Sequence, residues 1–137
     1  MGIVVLLGRL FLSAIFIAAA PRHFTREGIA HAAELGVPLA GVLVPLSGLL
    51  ALAGGVSLLL GFRAQWGAWA LVAFLVPVTV MMHAFWRLDD PQAVHTQQAQ
   101  FFKNVALLGA ALLVSQLGAG PMSLDARSAP VATAEQR

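Results

Sequence analysis

The residues best equipped for chemistry lie in one stretch, residues 81–104, "MMHAFWRLDDPQAVHTQQAQFFKN". His83 stands near the end of an uncharged run, with Thr79 and Arg87 four residues away on the same helical face. Imidazole lacks the long stem that lets arginine reach water, so His83 calls for a hydrogen-bonding partner or a polar cavity. Lys103 and Asn104 approach the membrane from the same side on the following helix. If that helix starts early, Gln97, Gln100 and Asn104 share a face at spacings of three and four. His83, Trp86, Lys103 and Asn104 can therefore converge on one polar site. The alternative is plain interface chemistry, because tryptophan belts and lysines near helix ends are routine in membrane proteins. The aspartates and Gln97 to Gln100 then read as solvated connector. The four histidines, His23, His31, His83 and His95, show no HxxxH or HExxH spacing, and no metal is expected.

These residues must be positioned by apolar elements. Of 137 residues, 59% are hydrophobic and 10% charged, and mean hydropathy is +0.84. Soluble domains carry roughly 25% charged residues, and a small soluble fold leaves too much surface in water to hide this much apolar area. The composition predicts an all-α membrane protein, a bundle of four transmembrane helices. Each span is judged against the roughly 20 apolar residues that cross about 30 Å of hydrocarbon. They are Ile3 to Ala20, Val37 to Gly61, Trp66 to Phe85, and a fourth starting around Phe101 and uncharged from Val105 to Leu117. The first span reads as retained rather than a cleaved leader, since Arg9 lies inside the apolar run and Pro21 follows the small residues. The net charge of +2 comes without a cluster of Lys and Arg, so no nucleic-acid partner is expected. There is no cysteine, which excludes dithiol exchange and thiolate-held iron–sulfur clusters by this chain.

Between the first two spans, "HFTREGIAHAAELGVP" reads as a short interfacial helix. Thr25 is its N-cap and Gly36 with Pro38 its stop. Ile29, Ala32, Ala33 and Leu35 would face lipid, with Arg26, Glu27, His31 and Glu34 facing water; an ordered extramembrane loop is the other reading. "GFRAQW" allows only a tight hairpin. Ser47, Ala51 and Gly55 in span two, and Ala106 with Ala110 in span four, place small residues where helices approach closely. Pro77 is expected to kink span three. Residues 1–124 form the transmembrane domain, and 125–137 read as a flexible polar tail.

With four spans, the termini and the 62–65 hairpin share one membrane face. The 21–36 and 86–100 loops share the other, with all four histidines. Arg9 lies about 9 Å into the first span at about 1.5 Å per residue and reads as an anchor snorkelling to headgroups. Lys and Arg divide evenly between the faces. The termini are assigned to the cytoplasmic side.

"LLGRLFLSAIFI", "HFT", "GVPLAGVLVPLSG", "GGVSLLLGFRAQWGAW", "MMHAFW", "DDP", "FFKNVALLGAALL" and "GPMSLD" follow one another in an order that resembles the DoxX family of small bacterial membrane proteins, over about residues 3 to 125. The resemblance implies a four-helix inner-membrane protein. It also implies an association with quinone-linked sulfur oxidation, as a subunit of thiosulfate:quinone oxidoreductase, or with membrane complexes that respond to oxidative stress. By position it points to His83, Phe85 and Trp86, to Lys103 and Asn104, and to Gly54 and Gly55 as packing glycines. Where many relatives place a glutamate before the double glycine, this chain has Ala51 in "LALAGG".

Two functions compete. One is a membrane subunit of a redox assembly that binds a quinone near the loop face through His83, Trp86, Lys103 and Asn104. Without an electron carrier of its own, such a chain needs an oxidoreductase partner protein, and whether it is itself an enzyme stays open. The other is a non-catalytic scaffold or assembly factor in the lipid bilayer, packing against partner proteins or a second copy through its small-residue faces. A solute carrier fits less well, since no charge lies at the membrane midplane.

Overall fold

A computed structural model of the chain describes residues 2–128. Among these the fold is all helical: α1 (Gly2–Ala19), α2 (Arg26–Glu34), α3 (Ala40–Leu60), α4 (Ala64–Met82), α5 (Pro91–Leu117) and α6 (Leu124–Ser128). Four segments are long and apolar enough to cross a membrane: α1 with the 3-10 turn that follows it to Phe24, then α3, α4 and α5. α3 packs on both α1 and α4, and α4 on α5, so the spans run α1–α3–α4–α5; no comparable seam joins α1 to α5.

Small residues set these seams. A Cβ on Gly67 would stand 2.2 Å from Ser57 Oγ, and one on Gly54 2.8 Å from the Gly67 carbonyl oxygen. α3 and α4 therefore meet backbone to backbone at these two glycines, the close approach that packs helices in lipid. Gly55, on the other side of α3, faces Phe16 and Ile17 of α1. Around them Ala51, Leu58, Ala68, Leu71, Leu75 and Ala111 form the buried core. Large side chains such as Phe11 and Leu113 point outwards, as expected where the surrounding solvent is hydrocarbon. The small face of α5 is not the one expected: Ala106 is exposed and Ala110 only partly covered, whereas Asn104, Ala111 and Ser115 are buried. Those three lie on the opposite side of the helix, turned to the bundle.

On the terminal face, Arg9 does not snorkel. It is 6% exposed; Nη1 donates to the Ala119 carbonyl at 2.9 Å and Nη2 to that of Met122 at 3.0 Å. The chain after α5 folds back over α1, and its carbonyls take Nη1 and Nη2 in place of headgroups, while Nε is buried without a partner. Beside it Asp125 caps α4 from a distance in sequence: its carboxylate accepts from the Arg63 N–H at 2.7 Å and the Ala64 N–H at 3.0 Å. The first amides of a helix have no partner within it, and here "GPMSLD" supplies one. Part of the segment 125–137 thus belongs to α6, while residues 129–137 lie outside the described residues.

On the loop face, Thr25 Oγ1 accepts from the Gly28 N–H at 3.0 Å and Gly36 takes the left-handed φ of +85° that ends α2. The apolar side of α2 does not face lipid as expected. Ile29 and Ala32 pack against Val37, Ala40, Val44 and Met82, seating α2 on the ends of α3 and α4. Ala33 and Leu35 are exposed.

Candidate functional site

Three local features gather polar side chains at the loop-side end of the bundle. The first is the start of α5. Asp90 is its N-cap, accepting from the Ala93 N–H at 2.8 Å, and Pro91 takes the first helical position, where its fixed φ suits the helix. At 27 residues and about 1.5 Å per residue, α5 is about 40 Å long, longer than the hydrocarbon it crosses. Its first turns carry Thr96, Gln97, Gln100, Lys103 and Asn104 along one wall. Gln97 and Gln100 are therefore helical side chains of the site and not connector.

The second is the end of α4, which stops at Met82 rather than Phe85. His83 leaves the helix with φ −123°, so Arg87, in the 3-10 turn Phe85–Arg87, no longer shares its face. The ring Nδ1 of His83 lies 2.8 Å from Gln97 Oε1. A carboxamide oxygen only accepts, so Nδ1 is the donor and Nε2 is left for another partner.

The third is the turn after α1. A Cβ on Gly48 would fall 2.5 Å from His23 Cβ, so only glycine lets this turn press into α3. The His23 ring then meets Phe74 edge-on, 5.5 Å between centroids.

These elements enclose a cavity of about 700 Å³, inside the roughly 300–1,000 Å³ of small-molecule sites. All four spans and α2 contribute to it. Its apolar wall is built by Phe16, Phe74, Val78, Met81 and Leu107, and its polar residues are Arg22, His23, His31, Ser47, His83, Thr96, Gln97, Gln100, Lys103 and Asn104. Lys103 Nζ donates to Gln100 Oε1. Pro77 also lines it, together with Ala73, whose carbonyl has no amide partner because proline lacks an N–H.

Asn104 is the unusual member. It is 7% exposed, lines the cavity, and makes no side-chain hydrogen bond to any described residue. The buried, unpartnered side-chain atoms among the described residues are Arg9 Nε and Thr79 Oγ1, so the Asn104 amide keeps access to the cavity, with both its donor and its acceptor open. One turn before His83, Thr79 Oγ1 is buried without a partner.

Of the four residues singled out from the sequence, His83, Lys103 and Asn104 line the cavity. Trp86 does not. It stands 53% exposed with its ring edge-on to Phe85 and Phe101, in an aromatic cluster completed by Phe102. His95 also lies outside the cavity, whereas His23, His31 and Arg22 belong to it. Their place depends on α2 and the preceding turn folding onto the bundle. The glycine at position 48 was the one signal for that in the sequence. Among the described residues, no three His, Cys, Asp or Glu side chains come together to hold a metal ion.

A family model described as the SURF4 family matches residues 41–129. The inner membrane protein YphA of Escherichia coli (strain K12) is 27% identical over 127 residues, covering 91% of this chain and 90% of that protein. No solved structure matches. The DoxX resemblance is overturned by the family match. Its supporting motifs are a glycine pair, small-residue spacings, aromatic residues at helix ends and an Asp-Pro helix start. Physics imposes these on any tightly packed four-span protein, so their order does not separate one family from another.

Proposed function

Since the chain belongs to the SURF4 family and is a multi-pass protein of the inner membrane, we propose that it is a membrane-embedded binding subunit whose cavity takes a lipid-soluble small molecule with a hydrogen-bonding head. The observation that carries this reading is Asn104, a residue held inside the bundle whose amide opens on the cavity without a side-chain hydrogen bond. A bound head group supplies the missing hydrogen bonds, and the apolar wall receives the rest of the molecule. His83 Nε2 offers a second contact, held in place by the bond from Nδ1 to Gln97.

A quinone is the redox-linked member of this ligand class. With it bound, the chain is the membrane subunit of a redox assembly and draws its electrons from an oxidoreductase partner, because a sequence without cysteine offers no thiolate-held carrier. The scaffold reading draws on a different observation: a Cβ on Gly109 would meet nothing within 4 Å, and with exposed Ala106 it leaves α5 a small-residue face open to a partner helix. With cytoplasmic termini, the histidine-bearing end of the cavity faces away from the cytoplasm.

The test is mass spectrometry of small molecules retained by the protein in mild detergent, comparing wild type, Asn104→Leu and His83→Ala. A near-stoichiometric molecule that is lost in Asn104→Leu and depleted in His83→Ala supports a ligand site, and its mass tells a quinone from other amphiphiles. A co-purifying protein with no small molecule in any sample supports the scaffold instead.

A further inference from the structure

We infer that the head group held in this cavity is an anion, a carboxylate or phosphate at the end of a single apolar chain. This rests on the reading of the cavity as a ligand site and names the ligand's chemistry. The charge balance of the lining carries the inference. Arg22 and Lys103 both line the cavity, with His23, His31 and His83, and among the described residues no aspartate or glutamate does.

The chain has six acidic residues, and those described are committed elsewhere. Glu27 and Glu34 lie on exposed positions of α2. Asp89 and Asp90 precede α5, with Asp90 capping it, and Asp125 caps α4 on the opposite membrane face. Lys103 is left with the neutral Gln100 oxygen as its partner. A cation beside a low-dielectric wall without a carboxylate attracts an anion more strongly than one in open water. An oxyanion also matches the donors on offer: the Asn104 amide deeper in, and arginine and lysine towards the mouth. Phe74, Val78, Met81 and Leu107 provide the surface along which an alkyl chain lies. A neutral head, including a quinone, would use Asn104 and His83 and leave both cations idle.

The experiment measures saturable binding of tritiated dodecanoate and, separately, tritiated methyl dodecanoate to the full chain in an uncharged detergent. Dodecyl phosphate and acetate serve as competitors. The ester keeps the chain and the carbonyl but removes the charge. Loss of a charge-assisted hydrogen bond is expected to weaken the ester by at least about tenfold relative to the acid. Dodecyl phosphate competes and acetate does not. Arg22→Gln with Lys103→Gln, both at exposed positions, removes the preference for the acid while ester binding persists. Equal binding of acid and ester overturns the anionic head and leaves the ligand site standing. Competition by acetate as strong as by dodecyl phosphate overturns the amphiphile and points to a site for free anions. No saturable binding of either labelled probe overturns the inference and counts against this class of ligand site.

Discussion

Replacing Gly54 by alanine tests the α3–α4 seam, and Gly109 supplies the control within the same protein. A Cβ on Gly54 would lie 2.7 Å from Cγ and Cδ2 of Leu71 and 2.8 Å from the carbonyl oxygen of Gly67. Carbon atoms settle at about 3.5–4.0 Å, and a backbone carbonyl cannot rotate aside. The helices must part by most of an ångström, because moving Leu71 to another rotamer would leave in place the contact with the Gly67 carbonyl. Overpacking of this kind costs about 1–3 kcal/mol. Against it stands the helix propensity of alanine over glycine, about 0.8–1.0 kcal/mol. Gly54→Ala is thus expected to lie between neutral and about 2 kcal/mol destabilised. At Gly109 the same Cβ meets nothing within 4 Å, so propensity acts alone and Gly109→Ala is stabilised by about 1 kcal/mol. The two variants should differ by about 1–3 kcal/mol with Gly109→Ala the more stable. Unfolding in mixed micelles titrated with sodium dodecyl sulfate, followed by circular dichroism, measures that difference. Equal midpoints for the two alanine variants would refute backbone contact at this seam.

Arg9→Leu removes both donors to the 118–123 segment and strands the Ala119 carbonyl, which should cost about 1–3 kcal/mol and raise amide hydrogen exchange in residues 118–128 with little change in α4. Asp125→Ala takes away the cap of α4 and should cost about 1 kcal/mol, with faster exchange at Arg63 and Ala64; Asp125→Asn keeps one acceptor and should recover part of it. Thr25→Ala should loosen α2 by about 1 kcal/mol, seen as faster exchange in residues 26–34 while the four spans are unaffected. Since the chain has no cysteine, single-cysteine variants report sidedness cleanly: a membrane-impermeant maleimide should label His95→Cys in intact spheroplasts and Ser128→Cys only after lysis.

Spans, hairpin and caps were legible because each is a local matter. Apolar run length, Thr25 before a helical pattern and Gly36 after it report their own surroundings. What long-range contacts decide was not legible. Arg9 reads as a snorkelling side chain until the chain 110 residues later folds back to meet it. The start of α5 was misplaced because its first ten residues are too polar to count as a span, and the Asp-Pro cap that begins the helix says nothing about depth. That misplacement left Gln97 and Gln100 either on one face with Asn104 or in a solvated connector, and the bond from His83 to Gln97 decides for the helix face. Trp86 went the other way: a ring beside a candidate histidine suggested stacking, and a 3-10 turn directs it to Phe85 and Phe101 instead.

The missing seam between α1 and α5 bears on how the cavity is filled. Both helices line it, α1 through Ile15, Phe16 and Ala19 and α5 through Gln100, Lys103 and Leu107, yet they do not zip together. On the proposed reading, a guest would slide in sideways from the leaflet, head already at headgroup depth, without first dissolving in water. Its occupancy then follows its mole fraction in the bilayer. A change of membrane composition would then fill or empty the protein, and a guest too insoluble to have a measurable aqueous concentration would still saturate it.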